Sequence, residues 1–183
     1  MTADGPRRST ARTAREPTST CAVSPPVAVA RRVTPRDRWI IRMLHEHTVL
    51  TTEQLARLGF ASLRTAQQRL QLLHRLDVLD RFQPYRPTGS APLHHLLGPV
   101  GAHILAAEEG LDTAALGYRR QRTLAVAHRL TLSHDIGAAT SIIDLATHPH
   151  LHLGRWWSAA RCAASGVWRS GCGVPVSTIR GWG

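Results

Sequence analysis

The stretch TTEQLARLGFASLRTAQQRLQLLHRLDVLDRFQP, residues 51–84, decides the fold, because two helical patterns, a tight turn and the start of a strand follow one another in it. Thr51 is a good N-cap, and Gln54 completes a capping box. Gly59 ends this first helix, and Ser62 caps the second. The apolar positions of the second helix recur every three or four residues: Leu63, Ala66, Leu70, Leu73 and Leu76. A turn this short makes the two helices cross steeply, as in a helix-turn-helix.

The second helix, residues 63–76, also has a polar stripe on the opposite face. Its members are Arg64, Gln68, Gln71 and Arg75. Arginine and glutamine pair bidentately with guanine and adenine edges in the major groove of DNA. Thr65 and Arg69 flank the stripe, where we expect them to contact phosphates. The same pattern is common on helix faces that contact only water. A three-helix core with a hairpin also serves in modules that dimerise or bind other proteins, so this alternative to DNA binding remains open.

The neighbouring segments extend this motif on both sides. Thr34 caps a helix that starts at Pro35 and ends near His47. After residue 76, DVLDRF and LHHLL are typical of two strands joined by the Pro- and Gly-rich loop QPYRPTGSAP. Helix, helix, turn, helix and hairpin are the elements of a winged helix-turn-helix. Arg81 and Arg86 then lie on the wing, residues 81–92, and are expected to contact the DNA backbone or minor groove.

The pattern divides the chain into four segments, and the fold class we expect is mainly α (α+β). Residues 1–33 form a disordered basic arm, because Thr, Ser, Pro and Arg dominate without periodicity. Residues 34–97 form the winged helix-turn-helix domain. Residues 98–154 form a helical extension, with one helix closed by Gly110 and a longer one from about Ser133. Residues 155–183 form an irregular tail, either disordered or non-native.

Charge and composition limit the classes of function that the sequence allows. The 183 residues carry 23 basic side chains, all arginine, against 12 acidic ones, for a net charge of +11. Such an excess favours a polyanionic partner, with nucleic acid first and acidic lipid second. No apolar run approaches the roughly 20 residues that span a membrane. We therefore expect a cytoplasmic protein without a membrane partner.

Catalytic and metal sites find little support in the sequence. The carboxylates are scattered, whereas metal-dependent cleavage of DNA needs them clustered. The three cysteines are too irregularly spaced for a disulfide framework or a zinc site. The alternating histidines in HPHLH, residues 148–152, suit a solvated loop better than a metal site, and we expect His94 and His95 to lie on a solvated strand edge. The prediction is a protein that is not an enzyme and has no cofactor and no metal.

Three segments resemble the actinobacterial replication-relaxation family: TPRDRWIIRMLHEHTVLTTEQLARLGF, LDRFQPYRPTGSAPLHHLLGPVGAHILAAEEGLDTAALGYRRQRTLAVAHRLTLSHDIG and RWWSAARCA. The resemblance runs from about Val33 to Ala163. It implies a DNA-associated protein of a plasmid or integrated mobile element. Besides double-stranded DNA, plasmid replication or transfer proteins and a second copy of the chain are the further partners that we expect. It identifies no reaction.

The C-terminus departs from that family. Its members continue past the WWS motif into a strand-rich, acidic, nuclease-like segment, whereas no Asp or Glu follows Asp144 here. This departure predicts a truncated or frameshifted member. Two alternatives to a DNA reader therefore remain: a winged-helix module that binds a protein of a replication or conjugation complex, and a non-functional fragment of a larger nuclease-like protein.

Overall fold

The computed structural model describes residues 26–151, 156–158 and 162. The helices in this part are α1 (Pro26–Ala30), α2 (Pro35–His47), α3 (Thr52–Gly59), α4 (Leu63–Arg75), α5 (Pro99–Glu108), α6 (Arg120–Leu124) and α7 (Leu132–Ala146). A 3₁₀ turn, Ala125–His128, follows α6. The strands are β1 (Leu50–Thr51), β2 (Leu79–Phe82) and β3 (His94–Leu97). The predicted fold class, mainly α with a small antiparallel sheet, is confirmed.

The predicted helix starts are present, because local side chains satisfy the first backbone N–H groups of each helix. The Thr34 side chain accepts from the N–H of Asp37, and the Asp37 carboxylate accepts from the Thr34 N–H. Thr51 and Gln54 form the same reciprocal pair at α3, over 2.8 and 3.2 Å. At α4 the Ser62 hydroxyl accepts from the Thr65 N–H.

The sheet has the order β1-β3-β2, with both pairs antiparallel. β1 is too short to show a strand pattern, and it pairs with the side of β3 that faces away from β2. β3 is therefore the central strand, and the prediction that His94 and His95 lie on a solvated edge is wrong. They are only 5% and 2% exposed. Nε2 of His95 lies 2.9 Å from the Thr52 hydroxyl, and the His94 ring stacks on Phe82.

One hydrophobic core runs from α1 to α7, and it includes Val29, Val33 and Ala139. Val29 is buried within α1, so residues 26–33 are not part of a disordered arm. Helix α1 packs against α5, which begins far along the chain at Pro99. The arm prediction is thus corrected for residues 26–33, and residues 1–25 lie outside the described residues.

Two other predicted packing positions differ from the structure. Leu63, assigned to the buried face of α4, is the first residue of the helix and is 43% exposed. The long helix of the extension, α7, packs on α3 of the same chain. The amide nitrogen of Gln54 donates to the Ile136 carbonyl and to the Thr140 hydroxyl, both over 2.9 Å. The extension therefore shares its core with the three-helix region.

Candidate nucleic-acid interface

The polar stripe of α4 faces away from the core. Its buried residues, Ala66, Leu70 and Leu73, lie on one side of the helix. The stripe residues Arg64, Gln68, Gln71 and Arg75 are all exposed on the opposite side. Within the described part of the chain, no hydrogen bond or ion pair engages these four side chains. A bidentate donor set is therefore available along about three turns of helix.

The two residues predicted to flank the stripe are engaged within the protein. The Arg69 guanidinium forms a two-contact ion pair with Asp37, with 2.9 Å between Nε and Oδ1, and it also donates to the Arg32 carbonyl over 3.2 Å. The Thr65 hydroxyl lies 2.9 Å from the Ser62 hydroxyl in the helix cap. Arg69 thus fixes α4 on α2, and a phosphate contact by its guanidinium, which stays a prediction, competes with this ion pair.

Asp37 explains why Arg69 is held in this way. Its side chain is fully buried, at 0% exposure, and burial by itself raises the pKa of a carboxyl group. Hydrogen bonds from Arg69 and Thr34 outweigh this effect, and the pKa of Asp37 is lowered. The pKa of Arg69 is raised in turn, first by its hydrogen bonds to Asp37. The pair stays charged at neutral pH and joins the start of α2 to the middle of α4.

The predicted wing consists of β2, β3 and the loop between them. Arg81 on β2 and Arg86 in the loop are exposed. Nε2 of Gln83 donates to the Ala91 carbonyl over 2.6 Å, which closes the base of the loop. Burial lowers the pKa of His94, the hydrogen bond with the Pro92 carbonyl opposes this effect, and the charge of Arg86 lowers the pKa further. Both predicted wing arginines are thus available to a ligand.

The comparisons with known proteins add the family. The replication-relaxation family model matches residues 41–169. That range covers 129 of the 183 residues, from within α2 to beyond the WWS motif. The chain belongs to the replication-relaxation family. A search of the curated proteins and a search of the solved structures found no match.

Ion pairs divide the arginines of this replication-relaxation protein into two groups. In the described residues, five arginines are paired with a carboxylate: Arg38 and Arg42 with Glu108, Arg57 with Asp144, Arg69 with Asp37, and Arg120 with Asp80. Ten others have no such partner among these residues: Arg31, Arg32, Arg36, Arg64, Arg75, Arg81, Arg86, Arg119, Arg122 and Arg129. The second group includes all the predicted base-reading and wing arginines.

The sequence did not predict a role for three arginines near α4, because two of them fall in the predicted arm and the third lies on a helix that was assigned no DNA contact. Arg31 and Arg32 directly follow α1, and Arg36 lies in the first turn of α2; all three are exposed. The Arg36 guanidinium carbon lies 5.0 Å from the centre of the Phe60 ring, in the turn before α4. The density of arginines in residues 31–38 is the sequence signal that could have indicated this basic surface. Only the fold shows that the segment adjoins α4.

A separate contact at the C-terminal end of α2 involves the WWS motif. The Trp156 ring stacks on His47 with 3.7 Å between ring centres, and Ser158 donates twice to the Glu46 carboxylate. A cavity of about 450 Å³ lies beside this contact and is lined in part by Arg129 and His134. Burial lowers the pKa of His47 to about 4, so its ring is neutral at pH 7. The contact therefore attaches the WWS motif to α2.

Two further findings concern metal binding and membrane-spanning helices. In the described residues, no three His, Cys, Asp or Glu side chains are placed to hold a metal ion. His148 and His150 are exposed, and His152 lies outside the described residues. No helix in the described part of this family member is long and apolar enough to cross a membrane.

Proposed function

We propose that residues 34–97 form a winged helix-turn-helix that reads duplex DNA through α4 and the wing. Membership of the replication-relaxation family indicates a replication-related role. Within that role, we propose a DNA-binding protein of a plasmid or other mobile element that acts in the cytoplasm of an actinobacterium. Its further partners are plasmid replication or transfer proteins and a second copy of the chain. In this proposal the protein binds DNA sequence-specifically and has no catalytic centre of its own.

The observation that carries this proposal is the unpaired Arg/Gln stripe on α4. An α-helix with its side chains is about 10–12 Å across, which fits the major groove of about 12 Å. The stripe faces directly away from the core. Helix α4 can therefore enter the major groove without breaking its packing contacts with the rest of the protein. Arg64 and Arg75 are suited to guanine, and Gln68 and Gln71 to adenine.

Other features of the fold support the same orientation. Arg81 and Arg86 extend the basic surface from α4 to the wing. The Asp37–Arg69 pair holds α4 rigidly on α2, and rigid elements position base-reading side chains better than loops do. The helix order α2, α3, α4 with the hairpin β2–β3 matches the connectivity of a winged helix-turn-helix.

Fluorescence anisotropy on the full chain tests this proposal. The probes are duplex fragments of a plasmid origin and an unrelated duplex of equal length, across a salt series. We expect Arg64→Ala and Gln68→Ala to reduce the preference for the origin fragment by about 1–3 kcal/mol each, because each removes a bidentate base contact. Arg86→Ala should weaken binding to both duplexes and lower the salt slope by about one, since it removes a phosphate contact.

Arg129→Ala is the matched control, because Arg129 is exposed and unpaired among the described residues but lies outside α4 and the wing. It should leave the preference between the duplexes unchanged. Equal effects of Arg64→Ala and Arg129→Ala would contradict the assignment of α4 as the reading helix. If the unmodified chain binds neither duplex at low salt, the protein-interaction module becomes the better account.

A further inference from the structure

The two flanks of α4 contact different parts of the fold. At about 3.6 residues per turn, Arg69 and His74 lie on opposite sides of the buried stripe. Nδ1 of His74 lies 3.0 Å from the Leu79 carbonyl, so this flank adjoins the wing. Arg69 contacts Asp37 and the Arg32 carbonyl, so the other flank adjoins the junction of α1 and α2.

This junction is an ordered part of the fold. Val29 and Val33 anchor it in the core. Its backbone is held from two directions, since Arg69 donates to the Arg32 carbonyl and Arg38 donates to the Ala30 carbonyl over 3.4 Å. The backbone that carries Arg31 and Arg32 is therefore held against α4.

The charge of the junction is uncompensated. Arg31, Arg32 and Arg36 have no carboxylate partner among the described residues. The nearest acid along the chain, Asp37, is buried and engaged by Arg69. Arg36 covers the Phe60 ring, which brings a third positive charge to the turn that precedes α4. Three exposed guanidinium groups thus lie beside the reading helix, on the side away from the wing.

A helix inserted in the major groove has a phosphate backbone on each side. The wing supplies arginines to one backbone only. We infer that Arg31, Arg32 and Arg36 form a second phosphate-contacting surface, which binds the DNA backbone on the side of the groove opposite the wing. This inference rests on the proposed function, because it takes α4 to lie in the groove. Guanidinium groups suit this partner, since they donate two parallel hydrogen bonds to phosphate oxygens.

The test compares two triple variants of the full chain that remove the same charge. The first is Arg31→Gln/Arg32→Gln/Arg36→Gln. The control is Arg119→Gln/Arg122→Gln/Arg129→Gln, which removes three exposed arginines outside this surface. The slope of log affinity against log salt falls by about 0.9 for each phosphate that is no longer neutralised, so we expect a decrease of about two to three for the first variant and less than one for the control. Thermal melts establish that both variants are folded.

Hydroxyl-radical footprinting of the same complexes shows which backbone is contacted. The first triple variant should lose protection on one side of the groove, and Arg86→Gln should lose it on the other side. An unchanged salt slope in the first variant, or loss of the same protection as in Arg86→Gln, would overturn the inference while leaving the proposed function in place. Absence of salt-dependent binding by the unmodified chain would overturn both.

Discussion

At the scale of single residues, the environment decides what an arginine does. Arg64 and Arg69 lie on the same helix, five residues apart, and have the same chemistry. Arg64 extends into solvent, whereas Arg69 is placed over the buried carboxylate of Asp37. A buried carboxylate without a partner costs several kcal/mol, so the ion pair is formed before any ligand is present. Arg69 therefore positions the helix, and Arg64 remains available.

His95 leads to a prediction on pH dependence. Burial, together with the charges of Arg81, His74 and His94, lowers the pKa of His95 to about 4. The unfolded chain takes up this proton near pH 6.5, so the stability is fully present above that pH and is lost as the pH falls towards 4. The loss should reach about 1.4 kcal/mol per pH unit for this group. Urea unfolding at several pH values measures it.

Two variants isolate the contribution of His95. His95→Gln keeps a polar partner for the Thr52 hydroxyl but does not titrate, and it should make the dependence on pH shallower. Part of the pH dependence of stability should remain in this variant, because the pKa of His47 is also lowered to about 4. His103→Gln, at an exposed position of α5, should leave the dependence unchanged. A pH dependence in His95→Gln as steep as in the unmodified chain would contradict the assignment.

At the scale of elements, α5 shows how a helix is held by close backbone contact. An added Cβ on Gly101 would lie 2.3 Å from the Val78 carbonyl, and one on Gly98 would lie 2.4 Å from the Asp77 carbonyl. Both distances are below any tolerated contact with a carbonyl oxygen. The glycines therefore let α5 approach the start of β2, which sets the base of the wing.

Two alanine substitutions test this approach. Gly101→Ala should lower the free energy of unfolding by about 1–3 kcal/mol, because α5 must move away from β2. Gly137→Ala is the matched control in α7, where an added Cβ meets no atom within 4 Å. It should raise the free energy of unfolding by about 0.5–1 kcal/mol, since alanine favours the helix. Chemical denaturation of both variants measures the change in the free energy of unfolding. A change of the same sign in the two variants would contradict the packing argument.

At the scale of the whole molecule, the segments 34–97 and 98–154 do not have separate cores. Val100, Ile104 and Leu105 of α5 belong to the same cluster as the apolar residues of α2, α3 and α4. The Arg38 and Arg42 side chains pair with Glu108, and Arg57 pairs with Asp144, so ion pairs at the surface join the same two segments. Helix α4 is therefore supported by the extension.

This shared core predicts how fragments behave. Residues 34–97 alone lack Val29 and the whole of α5, and we expect this fragment to show no cooperative thermal transition. Residues 26–158 retain the cluster and should melt cooperatively. Circular dichroism melts of the two fragments make the comparison. A sharp transition in the shorter fragment would mean that the helix-turn-helix and the wing are an independent domain.

Sequence alone determined the elements whose signals are local. The caps at Thr34, Thr51 and Ser62 act within three residues, so the starts of α2, α3 and α4 could be predicted directly. The exposed stripe of α4 could be predicted as well, because the periodicity of a helix separates its two faces. The hairpin followed from its loop composition.

The tertiary structure decided everything that depends on contacts between distant residues. β1 has two residues and no pattern of its own, yet it makes β3 central and buries His94 and His95. Residues 26–33 are ordered because α5, which lies far along the chain, covers Val29. Arg69 pairs with Asp37, 32 residues earlier, and no local pattern in the sequence indicates this partner. Side-chain type fixes what a residue can do, and only packing fixes which groups it meets.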